Sequence, residues 1–90
     1  MSTWTKDPDS RLEWGCDWSA WLTDGDTITA SEWAADSDTI TLDTDSHDDT
    51  TTVVWVTGGK PGTRVRLTNR ITTTQGRTDD RTITLLIRQR

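Results

Sequence analysis

Ninety residues with a net charge of −5 are enough for one small domain, and no apolar run reaches the roughly 18–20 residues that a membrane helix needs. Apolar residues make up only 30% of the chain and a single Cys cannot close an internal disulfide, so the core is small and unstapled. Six Trp without any Phe or Tyr supply the missing hydrophobic weight, and abundant Thr favours strands over disorder.

Residues 1–10 read as an extended arm. Asp7-Pro8-Asp9 imposes a turned or extended backbone, because Pro disfavours helix at the residue before it. Trp4 in this polar stretch either folds back onto the domain or anchors in a neighbour's pocket. The stretch carries no hydrophobic signal segment, so a product made in the cytoplasm of its host cell is expected. Residues 11–90 are read as one domain.

Leu12, Trp14, Cys16 and Trp18 alternate with Glu13, Gly15 and Asp17, the period of a strand with one buried face. Trp18–Leu22 loses that period and reads as a short helical turn. Thr23–Asp26 is a turn at Gly25. Thr27–Trp33 follows as a strand with Ile28 and Ala30 on one face, and Ala34–Asp38 is turn-like. Thr39–Asp43 is a short strand carrying Ile40 and Leu42. Thr44–Thr50 has loop composition. Thr51–Thr57 is apolar on both faces through Val53, Val54, Trp55 and Val56, as a central strand is. Gly58–Gly62 is a turn. Arg64–Thr74 places Val65, Leu67, Asn69 and Ile71 on one face and Arg64, Arg66 and Arg70 on the other. Gln75-Gly76-Arg77 is a hairpin loop, and Thr78–Arg88 closes with Ile83, Leu85 and Ile87 on one face.

About seven short strands predict an all-β, antiparallel sandwich of immunoglobulin or fibronectin-III type, with a closed barrel as the alternative. Leu12, Trp14, Trp18, Ile28, Ile40, Leu42, Trp55, Val65, Leu67, Ile71, Ile83, Leu85 and Ile87 are the expected core, with Trp14, Trp18 and Trp55 filling the space between sheets.

The sequence offers no catalytic set. His47 stands alone in an acidic loop, and no nucleophile elbow exists. Asp43–Asp48 begins like a calcium loop, but Asp48 and Val54 occupy the positions that require Gly and Glu. A looser cation site from Asp43, Asp45, Asp48 and Asp49 stays open beside the plainer reading of turn-capping acids. Gly58–Gly62 lacks the Lys-Ser/Thr of a phosphate loop. Cys16 reads as a small buried hydrophobe. No enzyme and no cofactor are expected.

Charge is split along the chain. In residues 1–59, Lys6 and Arg11 face thirteen acids, a net of −11; in residues 60–90, Lys60 and seven Arg face Asp79 and Asp80, a net of +6. Nucleic-acid sheets interleave such arginines with exposed aromatics, and none follows Trp55, so no nucleic-acid partner is expected. The charges fit packing within or between protein chains.

Two further sets of residues carry a resemblance. Lys6-Asp7-Pro8-Asp9-Ser10-Arg11-Leu12 precedes Asp17-Trp18-Ser19-Ala20-Trp21-Leu22, and Thr68-Asn69-Arg70-Ile71-Thr72 precedes Gly76-Arg77-Thr78-Asp79-Asp80-Arg81. Together they resemble a family of small tailed-phage virion proteins, the fibre–tail adaptors, from about Lys6 to Arg88. The resemblance implies a β-rich accessory protein of the bacteriophage virion. It would dock on capsid, neck or tail subunits in multiple copies, and self-association fits this. It brings no catalytic motif. Trp4, Lys6, Asp7, Arg64, Arg66, Arg70 and Arg77 are the expected partner-binding residues. A carbohydrate- or receptor-binding module, with Trp rings stacking on sugars, is the alternative function.

Overall fold

The computed structural model describes residues 2–88. They build seven strands and no helix: β1 (Ser2–Lys6), β2 (Leu12–Asp17), β3 (Ile28–Ala35), β4 (Ile40–His47), β5 (Thr51–Gly58), β6 (Arg64–Thr73) and β7 (Thr78–Ile87). One sheet runs β1-β7-β6-β3 and the other β2-β5-β4. All pairings are antiparallel except β1 with β7. The chain is therefore an all-β sandwich.

Period-two patterning positions the core. Val65, Leu67, Asn69, Ile71 and Thr73 of β6 point inward and are buried, opposite exposed Arg64, Arg66 and Arg70. Ile83, Leu85 and Ile87 of β7 meet Val54 and Val56 of β5 and Ile40 of β4 in the larger cluster. Burying each of these aliphatic side chains contributes about 1.5–3 kcal/mol. A smaller cluster joins Cys16, Trp18, Ile28 and Ile71 near the other end. β5 is the middle strand of its sheet, which its Val53-Val54-Trp55-Val56 run suits.

The turn after β5 depends on glycine. Gly58 and Gly59 have φ of 83° and 117°, and a Cβ would lie 2.9 Å from Thr39 O and 2.9 Å from Ile87 Cγ2 respectively. Only glycine fits both the backbone and the space.

Several expectations need correction. The segment read as an arm is extended but does not stand apart: Ser2–Lys6 pairs with Ile83–Ile87 along the edge of the first sheet. Leu12 starts an edge strand, opposite Val56, and stays 39% exposed. Trp55 is not between the sheets. It pairs with Glu13 on the outer face, because Val54 and Val56 take the inward positions, and the Arg11 guanidinium covers its ring at 4.3 Å. Trp14 and Leu42 are only partly buried against the core, leaving Trp18, with no exposed surface, as the fully enclosed ring.

Two bulges defeat simple alternation. A register shift between Ile28 and Ala30 turns Ala30 outward, and Ser31, Trp33 and Ala35 become the more buried positions. A second shift between Leu42 and Asp45 carries β4 on through His47, where loop composition had suggested an earlier end.

Candidate functional site

The segments that carry the resemblance meet in space. Trp18 follows β2, and its indole N–H donates to Asn69 Oδ1 of β6 at 3.0 Å. The same oxygen accepts Thr52 Oγ1–H at 2.6 Å, and Asn69 Nδ2 donates to Ser31 Oγ at 2.9 Å and Glu32 O at 3.0 Å. One buried amide thus ties both sheets together with every donor and acceptor used.

Over this hub lie two arginines from the β6–β7 hairpin. The Arg81 guanidinium stacks 4.2 Å above the Trp18 ring and donates to Asp17 O at 2.6 Å. The Arg77 guanidinium stacks 4.4 Å above Trp21, while its Nε donates to Asp26 Oδ2 at 3.1 Å. Asp26 is buried and also accepts from the amides of Thr27 and Gln75 and from Thr74 Oγ1. Burial alone would raise its pKa; hydrogen bonds from Thr73, Thr74, Gln75 and Arg77 outweigh that and hold the carboxyl well below the usual range. This end of the molecule is a polar scaffold held by these hydrogen bonds and stacked rings.

The expected partner-binding residues divide sharply. Lys6 is removed from the surface: it is fully buried, and its Nζ donates to Gly58 O at 2.6 Å and Asp7 O at 2.8 Å. Burial pulls its pKa down, against the upward pull of Asp7 and Asp9. Asp7 builds the turn after β1, its Oδ1 accepting the Asp9 amide and its carbonyl accepting Ser10 Oγ–H. Arg77 is engaged in the scaffold. Arg70 is exposed but forms a bidentate pair with Asp80 at 2.7 and 3.0 Å.

Trp4, Arg64 and Arg66 remain available. Trp4 is 50% exposed at the β1 edge, its ring tilted 53° against Trp14. Arg64 and Arg66 project from the outer face of β6 and make no ion pair among the described residues.

Beside Trp4 runs an open groove of about 540 Å³ between the edges of the two sheets, walled by Gly15, Cys16 and Asp17 of β2 and Arg81, Thr82 and Ile83 of β7. Periodicity could not show this groove, because it lies where strands from different sheets face each other. Cys16 at its wall is buried, and burial pushes its thiol pKa up, so it is a poor nucleophile at neutral pH.

The acidic stretch is dispersed. Asp43 pairs with Arg11 at 3.0 Å, while Asp48 Oδ1 accepts the amides of Thr50 and Thr51. No three His, Cys, Asp or Glu side chains among the described residues are grouped to share a metal ion.

A search of curated proteins gave no match. Residues 6–86 match the family described as Gp77, podophage GP4 fiber-tail adaptor protein gp77. That span covers most of the chain and contains the Trp18–Asn69 hub, both stacked arginines and buried Lys6, and the chain belongs to the podophage fiber-tail adaptor family.

Proposed function

We propose that this chain is a non-enzymatic virion protein that joins phage structural subunits, with fibre and tail proteins as the two parties its family name suggests. The observation that carries this reading is that its uncommitted groups lie on separate surfaces. Arg64 and Arg66 face outward from the first sheet, whereas half-exposed Trp4 sits at the sandwich edge. Two separate recognition surfaces are what a connector between unlike neighbours requires. Neck and capsid subunits are further docking partners under the same reading.

Mass spectrometry of purified particles, with copy counting, tests it. A ring-sized copy number is expected. Absence from particles overturns the reading, and one copy per capsid subunit moves it to capsid decoration. The carbohydrate-binding alternative has less support: Trp4 is the one large exposed ring among the described residues, and it leans on Trp14 rather than offering a flat platform.

A further inference from the structure

β7 is ten residues long, but β1 covers only part of its outer edge. The parallel pairing begins at Ser2 opposite Ile83, so Thr78–Thr82 have no strand on that side among the described residues. Across the gap, β2 is also an edge strand, with its free side towards the same groove. An open strand edge is a row of unpaired peptide groups, and its natural complement is another extended backbone. The open stretch is about 16 Å long.

Three details define the occupant. Arg81 lies at the groove wall, partly buried; it stacks on Trp18 and donates one N–H to Asp17 O, yet no carboxylate, that of Asp17 on the same wall included, lies within ion-pair distance among the described residues. Trp4 closes one end with a half-exposed ring. The Asp80 amide is capped by its neighbour, Asp79 Oδ1, at 2.8 Å instead of by a strand. That contact is exposed and made by a side chain, so an incoming strand can displace it cheaply.

We propose that this groove accepts a short extended segment of a different virion subunit, which adds a strand to β7 in line with β1, carries a carboxylate for Arg81 and rests an apolar side chain on Trp4. A second copy of this chain would have to bring an edge strand already backed by its own sheet, and crosslinking distinguishes it from the segment proposed. The proposal rests on the virion reading above and names the contact through which one neighbour is held.

The test uses intact particles. The photoreactive residue p-benzoylphenylalanine is placed at Trp4 in one preparation and at Thr82 in another, and crosslinked peptides are sequenced. Both positions are expected to capture the same segment of another virion protein, containing Asp or Glu. Crosslinks only to copies of this chain, or none in particles holding normal amounts of the variant, overturn the proposal. Hydrogen exchange of the unmodified protein gives an independent readout: the outward-facing amides of Asp80 and Thr82 gain protection in particles over the free chain, while those of Asp79 and Arg81, already paired with β6, change little, and no gain at the first two overturns it. Absence of the unmodified protein from particles instead sinks the virion reading itself, a result read before any crosslink is sought.

Discussion

The Trp18 indole N–H donates to Asn69 Oδ1 at 3.0 Å across the space between the two sheets, and neither side chain has exposed surface. This single contact makes the one fully enclosed Trp depend on the one buried amide. Replacing Asn69 with Leu keeps the branched shape, at a somewhat larger volume, but strands the Trp18, Thr52 and Ser31 groups and the Glu32 carbonyl. Unsatisfied buried polar groups cost about 1–3 kcal/mol each, so Asn69→Leu is expected to lose about 3 kcal/mol or more in urea unfolding. Near-wild-type stability would show that the hub is ornamental.

Acid sensitivity follows from Asp26. Its folded pKa is depressed and its unfolded pKa is ordinary, near 3.9. The unfolded chain therefore takes up the proton first. The stabilisation is complete above the ordinary carboxylate range and is lost as pH falls through the folded value. Asp17, Asp48 and Asp80 are shifted the same way by their own hydrogen bonds and give a background slope. Between pH 5 and pH 2, the wild type should lose melting temperature more steeply than Asp26→Asn, and the two curves should approach each other at the acid end. Parallel curves would refute the assignment.

The strands on either side of the core were legible because Val, Leu and Ile at alternate positions leave one choice of inward face, as in β6 and β7. Trp55 was not, because a large ring after Val54 looks like core until the period fixes it outward under Arg11. Ala30 and the far half of β4 were hidden by bulges, whose extra residue leaves no mark in composition. Lys6 shows the reverse failure. A lysine in a polar opening reads as solvated, and only the fold brings Gly58 O within reach of its ammonium. The site was least legible of all, since the groove exists only where β2 and β7 approach, and two of the four expected partner-binding arginines, Arg70 and Arg77, proved to be structural.

Buried Lys6 predicts an alkaline response. Its folded pKa lies below 10.5, so between the two values the unfolded chain binds more protons and stability rises with pH. Cys16 acts oppositely: its folded pKa is above 9.0, and stability is lost as pH climbs past that point. The chain has no Tyr to confuse the window. Thermal melts of wild type and Lys6→Met from pH 8 to pH 10.5 should diverge, with the wild type gaining on the variant as pH rises. A constant difference would rule out a depressed lysine.

Removing β1 tests whether the opening segment belongs to the fold. Thr3 and Thr5 are exposed and add little burial, but the Trp4–Trp14 ring contact, five residues of backbone pairing and the Lys6 anchor are lost. At about 0.5–1.5 kcal/mol per hydrogen bond, deleting residues 1–6 is expected to cost about 2–5 kcal/mol. It also bares the whole outer edge of β7, so the truncated protein should aggregate at concentrations where the full chain stays dispersed. Unchanged denaturant midpoint and light scattering would mean that β1 is a detachable arm after all.

Arg64 and Arg66 separate docking from stability. Both project from the outer face of β6, exposed and without ion pairs among the described residues, whereas Arg70 on the same face is held by Asp80. Exposed positions away from caps, core and charge networks usually change stability by no more than about 0.5 kcal/mol when substituted. The double variant Arg64→Glu, Arg66→Glu should therefore unfold within about 1 kcal/mol of wild type. If this face meets an acidic neighbour, reversal places like charges together, slows association and removes the salt dependence of assembly. Particle incorporation should fall while the melting curve barely moves. Arg70→Glu, by contrast, opposes Asp80 directly across the strand pair and should lower stability first. Normal incorporation of the double variant would leave the basic face without a partner and confine docking to the Trp4 edge.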